Sequence, residues 1–440
     1  MKTYYLCLFL ISTTSALSSS FHSLSWFRNT TSPTRIDNVA DGSNIYLSSS
    51  DKALALSKIT LTTKGQSITL EKLLSRFDDH GYKIGWPVYS DLTISTTNNE
   101  NVTKALHGSI FITTPTMAQD PNFLVYVVRG NTILDRTPND NTTIVFLSVH
   151  TVSAGSPTYA GFTHTRIDQI VQPRSSELYF YRGNPDDMYG DIDNVDTLNK
   201  KIFSNPLKFF PTEHVPSSVF FDNIDPIQYS LNVFFMRAIG GVKMTVSDTY
   251  VDTTNINCTS ITTTGMSNSQ LFAYNSSVNF VSIRNNLGTT GFITTTELTS
   301  NSNITFTMNG NGMTDSLIAP IDENNRRHIV NWAADNLMIY PASLIPGIYW
   351  IQYFKIDGGA PTTTTFRTTP TTPAPTSSPA SSSSAPSTAT SSSPAPPSSS
   401  ASTAPPSSTT QTVQSTTKSA VTSLSMFSLS VSSLYLFLRV

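Results

Sequence analysis

Over most of the first 360 residues the apolar positions recur at a period of two or in short unbroken runs, and both patterns predict strands. Asn303 to Met308 alternates cleanly, with Ile304, Phe306 and Met308 expected inside and Asn303, Thr305 and Thr307 outside. Phe123-Leu124-Val125-Tyr126-Val127-Val128 is apolar on both faces, which predicts an inner strand. Tyr229, Leu231, Val233 and Phe235 alternate with Ser230, Asn232, Phe234 and Met236 and predict a second one. Ile348, Trp350, Phe354 and Ile356 fall on one face of a last strand. Helical spacing is scarce, the best case being Leu70, Leu73, Leu74 and Phe77, a short helix closed by Gly81. Short strands set apart by Gly, Asn and Pro turns, without interleaved helices, predict an all-β chain of antiparallel sandwiches.

The pattern also repeats. Gly108-Ser109-Ile110-Phe111-Ile112-Thr113-Thr114 leads to a strand ending at Gly130-Asn131, and Gly291-Phe292-Ile293-Thr294-Thr295 leads to one ending at Gly310-Asn311. Each is followed by a Pro- and Asn-bearing link and then by Ile144-Val145 or Ile329-Val330. An offset that stays at about 180 residues is what a tandem duplication leaves behind. On this reading residues 17–183 form a first sandwich module, 184–204 an acidic linker and 205–358 a second module.

The composition changes sharply at Pro361. From there to Lys418 nearly every residue is Ser, Thr, Pro or Ala, too little apolar surface to offset the entropy of ordering. Residues 359–418 are therefore expected to form a disordered, O-glycosylated, mucin-like stalk. At the start, Lys2, the apolar run Tyr4 to Ile11 and the close Thr14-Ser15-Ala16 predict a signal peptide over residues 1–16. At the other end, small residues at Ser415-Thr416-Thr417, a short polar spacer and an apolar tail over 419–440 have the layout of a glycosylphosphatidylinositol (GPI) signal. Ser415 is the candidate attachment residue, and any small residue from Ser407 to Ser419 fits the same layout. The alternative is a single membrane-spanning helix ending at Arg439-Val440, although its serines make it weakly apolar and no basic cluster follows it.

Charge and cysteine content narrow the partners. A formal net charge of -2 and the absence of a basic cluster beyond Arg326-Arg327 give no field for nucleic acid. Cys258 is the one cysteine left once the signal peptide is removed, so no internal disulfide can form and the core must supply the stability. Cys258 itself reads as a buried thiol or as an intermolecular bridge. N-glycosylation sequons stand at Asn29, Asn101, Asn141, Asn257, Asn275 and Asn303, that of Asn257 being the weakest because Cys fills its middle position. A glycan at any of them requires a surface position.

No cofactor is implied, and no enzyme signature is present: there is no Gly-x-Ser-x-Gly elbow, no His-Glu-x-x-His, no phosphate loop and no dinucleotide fingerprint. Asp186, Asp187, Asp191, Asp193 and Asp196 cluster, but without the glycine an EF-hand turn needs, and read as a solvated linker in preference to a calcium site. The strands Phe111 to Thr114, Phe123 to Val128 and Leu178-Tyr179-Phe180-Tyr181-Arg182-Gly183, together with the stalk and tail, resemble the secreted CUB-like protein families of nematodes. That resemblance implies a jelly-roll sandwich fold and a non-catalytic surface protein, with a role in epithelial defence as the family-level expectation. The function expected is thus a GPI-anchored, glycosylated ectodomain on the outer face of the plasma membrane, binding an extracellular glycan or protein. A mucin-like structural coat is the alternative, and a glycoside hydrolase, whose two carboxylates no motif would mark, is a further one.

Overall fold

The computed structural model describes residues 19–24, 32–137, 141–149, 164–183, 201–208, 218–268, 275–281, 288–298, 302–319, 326–343 and 347–358. The chain separates into two units, Met1–Thr369 and Pro370–Val440, and all the described residues belong to the first. Its elements are almost all strands, in line with the alternation.

The N-terminal part contains β1 (Ser20–Ser23), β2 (Thr34–Arg35), β3 (Ser43–Ser49), helix α1 (Ala53–Leu56), β4 (Ile59–Thr63), β5 (Gln66–Thr69) and α2 (Leu70–Leu74). It continues through β6 (Trp86–Val88), β7 (Thr93–Thr96), α3 (Glu100–Lys104) and β8 (Gly108–Ile112). Two four-stranded sheets result, β1-β8-β3-β6 and β2-β7-β4-β5. They enclose a core in which Ile45, Leu47 and Ile110 of the first meet Leu61 and Ile94 of the second. Helix α2 starts where Thr69 caps it, its side chain accepting from Lys72 N, and it ends at Ser75, earlier than the leucine spacing predicts. Phe77 instead bridges to Lys83, and Gly81 serves the turn between them with a φ of +84° that a side chain would strain.

After α4 (Pro115–Gln119) come β9 (Phe123–Val128), β10 (Asn131–Asp135), β11 (Asn141–Ser148), β12 (Thr165–Val171), β13 (Glu177–Tyr181) and β14 (Lys201–Asn205). Then follow β15 (Leu207–Lys208), β16 (Ser218–Val219), β17 (Ile227–Tyr229), β18 (Val233–Ile239) and β19 (Lys243–Ser247). A five-stranded sheet, β14-β13-β18-β11-β9, faces a four-stranded one, β10-β19-β12-β17, while β15 and β16 pair apart. Tyr126, Phe146, Phe180 and Phe234 meet Ile167, Tyr229 and Met244 between them. The predicted strand through Tyr229 to Phe235 is in fact broken: β17 and β18 belong to opposite sheets, and residues 230–232 carry the chain across.

The last part has β20 (Asn255–Asn257), β21 (Thr263–Asn268), β22 (Ser276–Asn279), β23 (Gly288–Leu298), β24 (Ile304–Gly310), β25 (Met313–Ala319), β26 (Arg326–Val330), β27 (Asn336–Pro341) and β28 (Gly347–Asp357). They form a third sandwich, β20-β22-β27-β24-β25 over β21-β28-β23-β26. Phe292, Ile304, Phe306 and Met308 lie in its core, so the inward parity expected for β24 holds.

Three sandwiches thus replace the two expected modules. β18, which lies after the 184–204 segment, pairs with both β11 and β13, which lie before it, and β19 likewise pairs with β10 and β12. Asn205, expected to open the second module, is wholly buried at the end of β14, which pairs with β13. The duplication fails on the same ground. β9, which follows Phe111, runs parallel to β11 in another sandwich, whereas β24, which follows Phe292, pairs antiparallel with β25 and β27 in its own. Thr-rich strands with Gly-Asn turns look alike without being equivalent.

The sandwiches are joined by buried surface. Tyr46 and Phe111, on the outer side of the first, pack with Met117 against Val125, Val145, Tyr179 and Phe235. The central sheet is therefore covered on both faces, which is why β9 is apolar at every position. At the far side Phe354 and Ile356 of β28 pack on Leu207, Val219 and Phe221, and Trp350 joins the middle core. The expectation that Trp350, Phe354 and Ile356 share a face holds, but that face docks on the middle part; the third sandwich takes Tyr349, Ile351 and Tyr353 for its own core, and Ile348 is exposed.

Candidate functional site

Where the first two sandwiches meet, the chain leaves an open cleft of about 580 Å³. The strands that carry its lining residues Ser49 and Val149 are tied together by polar contacts. The Ser48 hydroxyl donates to Ser148 O at 2.9 Å, tying β3 to β11, and also lies 2.9 Å from the Ser109 hydroxyl. Gly108 is required beside it, since a Cβ there would stand 2.1 Å from Ser48 O. One residue further, Ser49 Oγ lies 2.6 Å from His107 O, and Asp51 accepts from His107 N at 2.7 Å and from the Ser49 hydroxyl at 3.0 Å. The Asp51 carboxylate is therefore held rigidly at the rim.

The walls carry mixed chemistry. Glu71 and Leu74 come from α2, Phe77 from the turn after it, Arg129 from the end of β9, Val149 from the end of β11 and Asp248 from the end of β19. Arg129, which lines the cleft, reaches Ser49 O through Nη2 at 3.5 Å. Phe77 is partly exposed, and the Lys83 ammonium lies 4.2 Å from its ring centroid. Lys83 is buried, donating to Leu73 O at 3.0 Å and Leu74 O at 2.7 Å, so it closes the C-terminus of α2. Burial first, then the charges of Arg129 and Arg76, bring its pKa down to about 7. An exposed ring backed by a buried amine, with three carboxylates and a guanidinium around it, suits a ligand that offers hydroxyls together with a flat apolar face. Ser49, Asp51 and His107 are the residue types of a hydrolytic triad, but Ser49 meets His107 at its backbone carbonyl and is itself buried, so nucleophile and base are not aligned.

No residue type or spacing marked this cleft in the sequence. Its lining runs from Ser49 to Asp248 and is assembled only by the packing of two sandwiches. A second cavity, at the junction of the second and third sandwiches beside Ser204 and Gln352, is about 50 Å³ and too small for an organic ligand.

Most of the sequons read from the sequence are at the surface. Asn101 on α3, Asn141 at the start of β11, Asn257 and Asn275 are exposed and Asn303 is half-buried, while Asn29 and Ser415 lie outside the described residues. So do the aspartates from Asp186 to Asp196, the signal segment, the stalk and the tail. Cys258 is a free, buried thiol whose pKa is pushed up by burial and by the nearby Asp225 carboxylate. Asp225 itself, wholly buried, accepts from the Thr259 and Thr263 hydroxyls at 2.9 Å each and from Thr259 N at 3.1 Å. Among the described residues no three His, Cys, Asp or Glu side chains converge as a metal site would require. His328 pairs with Asp315 at 3.0 Å across the edge of the third sandwich, far in sequence from His107 at the cleft.

Fold and site together define an all-β, multi-sandwich chain with a solvent-open cleft and exposed glycosylation sequons. The chain belongs to the transmembrane glycoprotein family, whose sequence profile matches residues 40–434 and so covers the three sandwiches from β3 onward and most of the chain after them. It is a glycoprotein of a membrane or envelope, and the family that matches is not a CUB-like one. No curated protein sequence matches the chain. No helix among the described residues is long and apolar enough to cross a membrane, and the apolar tail after Val421 lies outside them.

Proposed function

We propose that this protein is a non-catalytic binding ectodomain, held outside the cell on its Ser/Thr/Pro-rich stalk, that takes an extracellular glycan in the cleft between its first two sandwiches. The observation that supports it most is the Phe77 ring, presented at the surface beside Asp51, Glu71, Arg129 and Asp248. A ring face and paired acceptors and donors are what a sugar's apolar face and hydroxyls call for. The cleft also lies about 25 Å from the Asn141 sequon, at the other end of β11, so a glycan there would leave it open.

Glycan-array binding of the secreted ectodomain is the direct test. Phe77→Ala and Asp248→Asn should abolish any signal while leaving the thermal unfolding midpoint within a few degrees of wild type. An array with no bound glycan would sink the glycan reading, and capture of a protein partner lost in the same variants would replace it. The mucin-like coat, in which the ectodomain contributes bulk alone, is favoured if neither is found.

The membrane attachment we infer is a lipid anchor at or near Ser415, after removal of residues 1–16 and of the tail. Phosphatidylinositol-specific phospholipase C should release the protein from intact cells. Retention while a lipid-anchored control is released would favour a spanning helix at 419–440.

A further inference from the structure

The outer face of the five-stranded sheet β20-β22-β27-β24-β25 carries an unusual row of amides. Asn257, Asn279, Asn336 and Asn309 stand in register on four adjacent strands, followed by Thr314 on the fifth. Asn279 Nδ2 donates to Asn257 Oδ1 at 3.1 Å, Asn309 Nδ2 donates to Asn336 Oδ1 at 3.1 Å, and the Thr314 hydroxyl donates to Asn309 Oδ1 at 3.0 Å. In the next row Ser277 donates to Asn255, and Thr307 pairs with Ser316. One row further the polarity changes: Thr305 stands between Ile318 and Tyr340, both exposed on the same face.

Three sequons converge here, although 46 residues separate the first from the last. Asn257 ends the amide row. Asn303 shares the alternation of Thr305 and Thr307, and its carbonyl accepts from Ala342 N, which holds it beside the end of β27. Asn275 immediately precedes β22 and shares the alternation of Ser277 and Asn279. All three side chains are thus on the outer face of one sheet, and the opposite face is the core of Val278, Phe306 and Leu337.

We propose that glycans on Asn257, Asn275 and Asn303 cover this single face, with the Asn303 and Asn275 sugars lying over the Ile318–Thr305–Tyr340 row. The amide row is compatible with the modification in a specific way. Glycosylation from a lipid diphosphate donor joins the sugar's anomeric carbon to Nδ2, which gives up one proton while the lipid diphosphate leaves. Asn257 engages the row through Oδ1 and keeps Nδ2 for the sugar, so its hydrogen bond from Asn279 survives. The ring of Tyr340 and the side chain of Ile318 lie roughly 7 Å along the strands from Asn303, within the reach of the first sugars of an attached glycan. Left bare, an exposed aromatic and an exposed isoleucine next to an edge strand would invite association; sugars laid over them remove that hazard. This proposal does not rest on what the cleft binds.

The experiment uses the full chain displayed on secreting animal cells. Peptide mapping first reads occupancy at Asn257, Asn275 and Asn303. Hydroxyl-radical footprinting then compares native protein with protein deglycosylated under native conditions and with an Asn275→Gln/Asn303→Gln variant. Tyr340 and Ile318 should be labelled at least about 3-fold more once the sugars are absent, while Tyr250, exposed on the second sandwich, stays unchanged. Empty sites at Asn275 and Asn303, or equal labelling of Tyr340 with and without sugar, would overturn the proposal. If the variant fails to reach the surface, the enzymatic comparison alone decides it.

Discussion

The side-chain amide of Gln352 closes on both main-chain groups of Ser204: Nε2 donates to Ser204 O at 2.8 Å, and Oε1 accepts from Ser204 N at 3.0 Å. β14 is the last strand of the central sheet, so Gln352 stands in for the neighbouring peptide that an edge strand lacks. Both residues are buried, and the same Nε2 lies 3.1 Å from Thr264 Oγ1. Replacing Gln352 with Leu keeps the volume but orphans the donor and acceptor of Ser204. Each buried group left unmade costs about 1–3 kcal/mol, so urea unfolding should show a loss of roughly 2–5 kcal/mol. A loss under about 0.5 kcal/mol would mean that water replaces the amide.

Asp225 organises the other polar centre of that junction. Thr259, Thr263 and the backbone of Thr264 are pinned to the chain around it, and Gly265 is needed beside it because a Cβ would stand 2.2 Å from the Tyr353 hydroxyl. Asp225→Ala strands two hydroxyl donors and an amide, and should destabilise the protein by about 3–5 kcal/mol in the same assay. Asp225→Asn, which keeps one acceptor oxygen, should cost clearly less; equal costs would show that volume and not hydrogen bonding is at stake.

Lys83 makes stability rise with pH above neutrality. The unfolded chain keeps this proton until about pH 10.5, whereas the folded one releases it near 7. Between those values the unfolded state binds more protons, so folding is favoured by up to about 1.4 kcal/mol for each pH unit. Its penalty is complete below about pH 7 and is relieved toward pH 10.5. Relative to Lys83→Met, which does not titrate, the wild type should gain roughly 2–3 kcal/mol between about pH 7 and pH 9. A difference flat with pH would show that the amine reaches solvent in both states.

The thiol of Cys258 is buried and its pKa is raised, so in the folded protein it should resist a thiol reagent at pH 8 and react fully in denaturant. Cys258→Ser should leave the monomeric mass on non-reducing electrophoresis unchanged. A reducible dimer of the wild type would overturn the buried assignment.

Much of this was legible in the residues. Alternation from Asn303 to Met308 determines which side chains face inward, because successive Cβ atoms on a strand point to opposite faces. The outward turn of the Asn303 sequon is therefore readable without coordinates. With only Cys7 and Cys258 in the sequence, the sandwiches contain a single cysteine and no disulfide can staple them internally.

A period of two does not say which strand lies alongside, and there the tertiary structure decided. β18 finds β11 about 90 residues earlier, a choice settled by packing and not by anything local to either strand. That is why two modules were expected where three sandwiches stand. In β28 both faces are apolar, so only the assembled chain assigns Tyr349, Ile351 and Tyr353 to one core and Trp350, Phe354 and Ile356 to the neighbour. The cleft of Phe77 and Asp248 and the shared face of Asn257, Asn275 and Asn303 have the same origin. Their residues are distant in sequence, and each set is brought together by strand pairing and sheet packing that no single segment encodes.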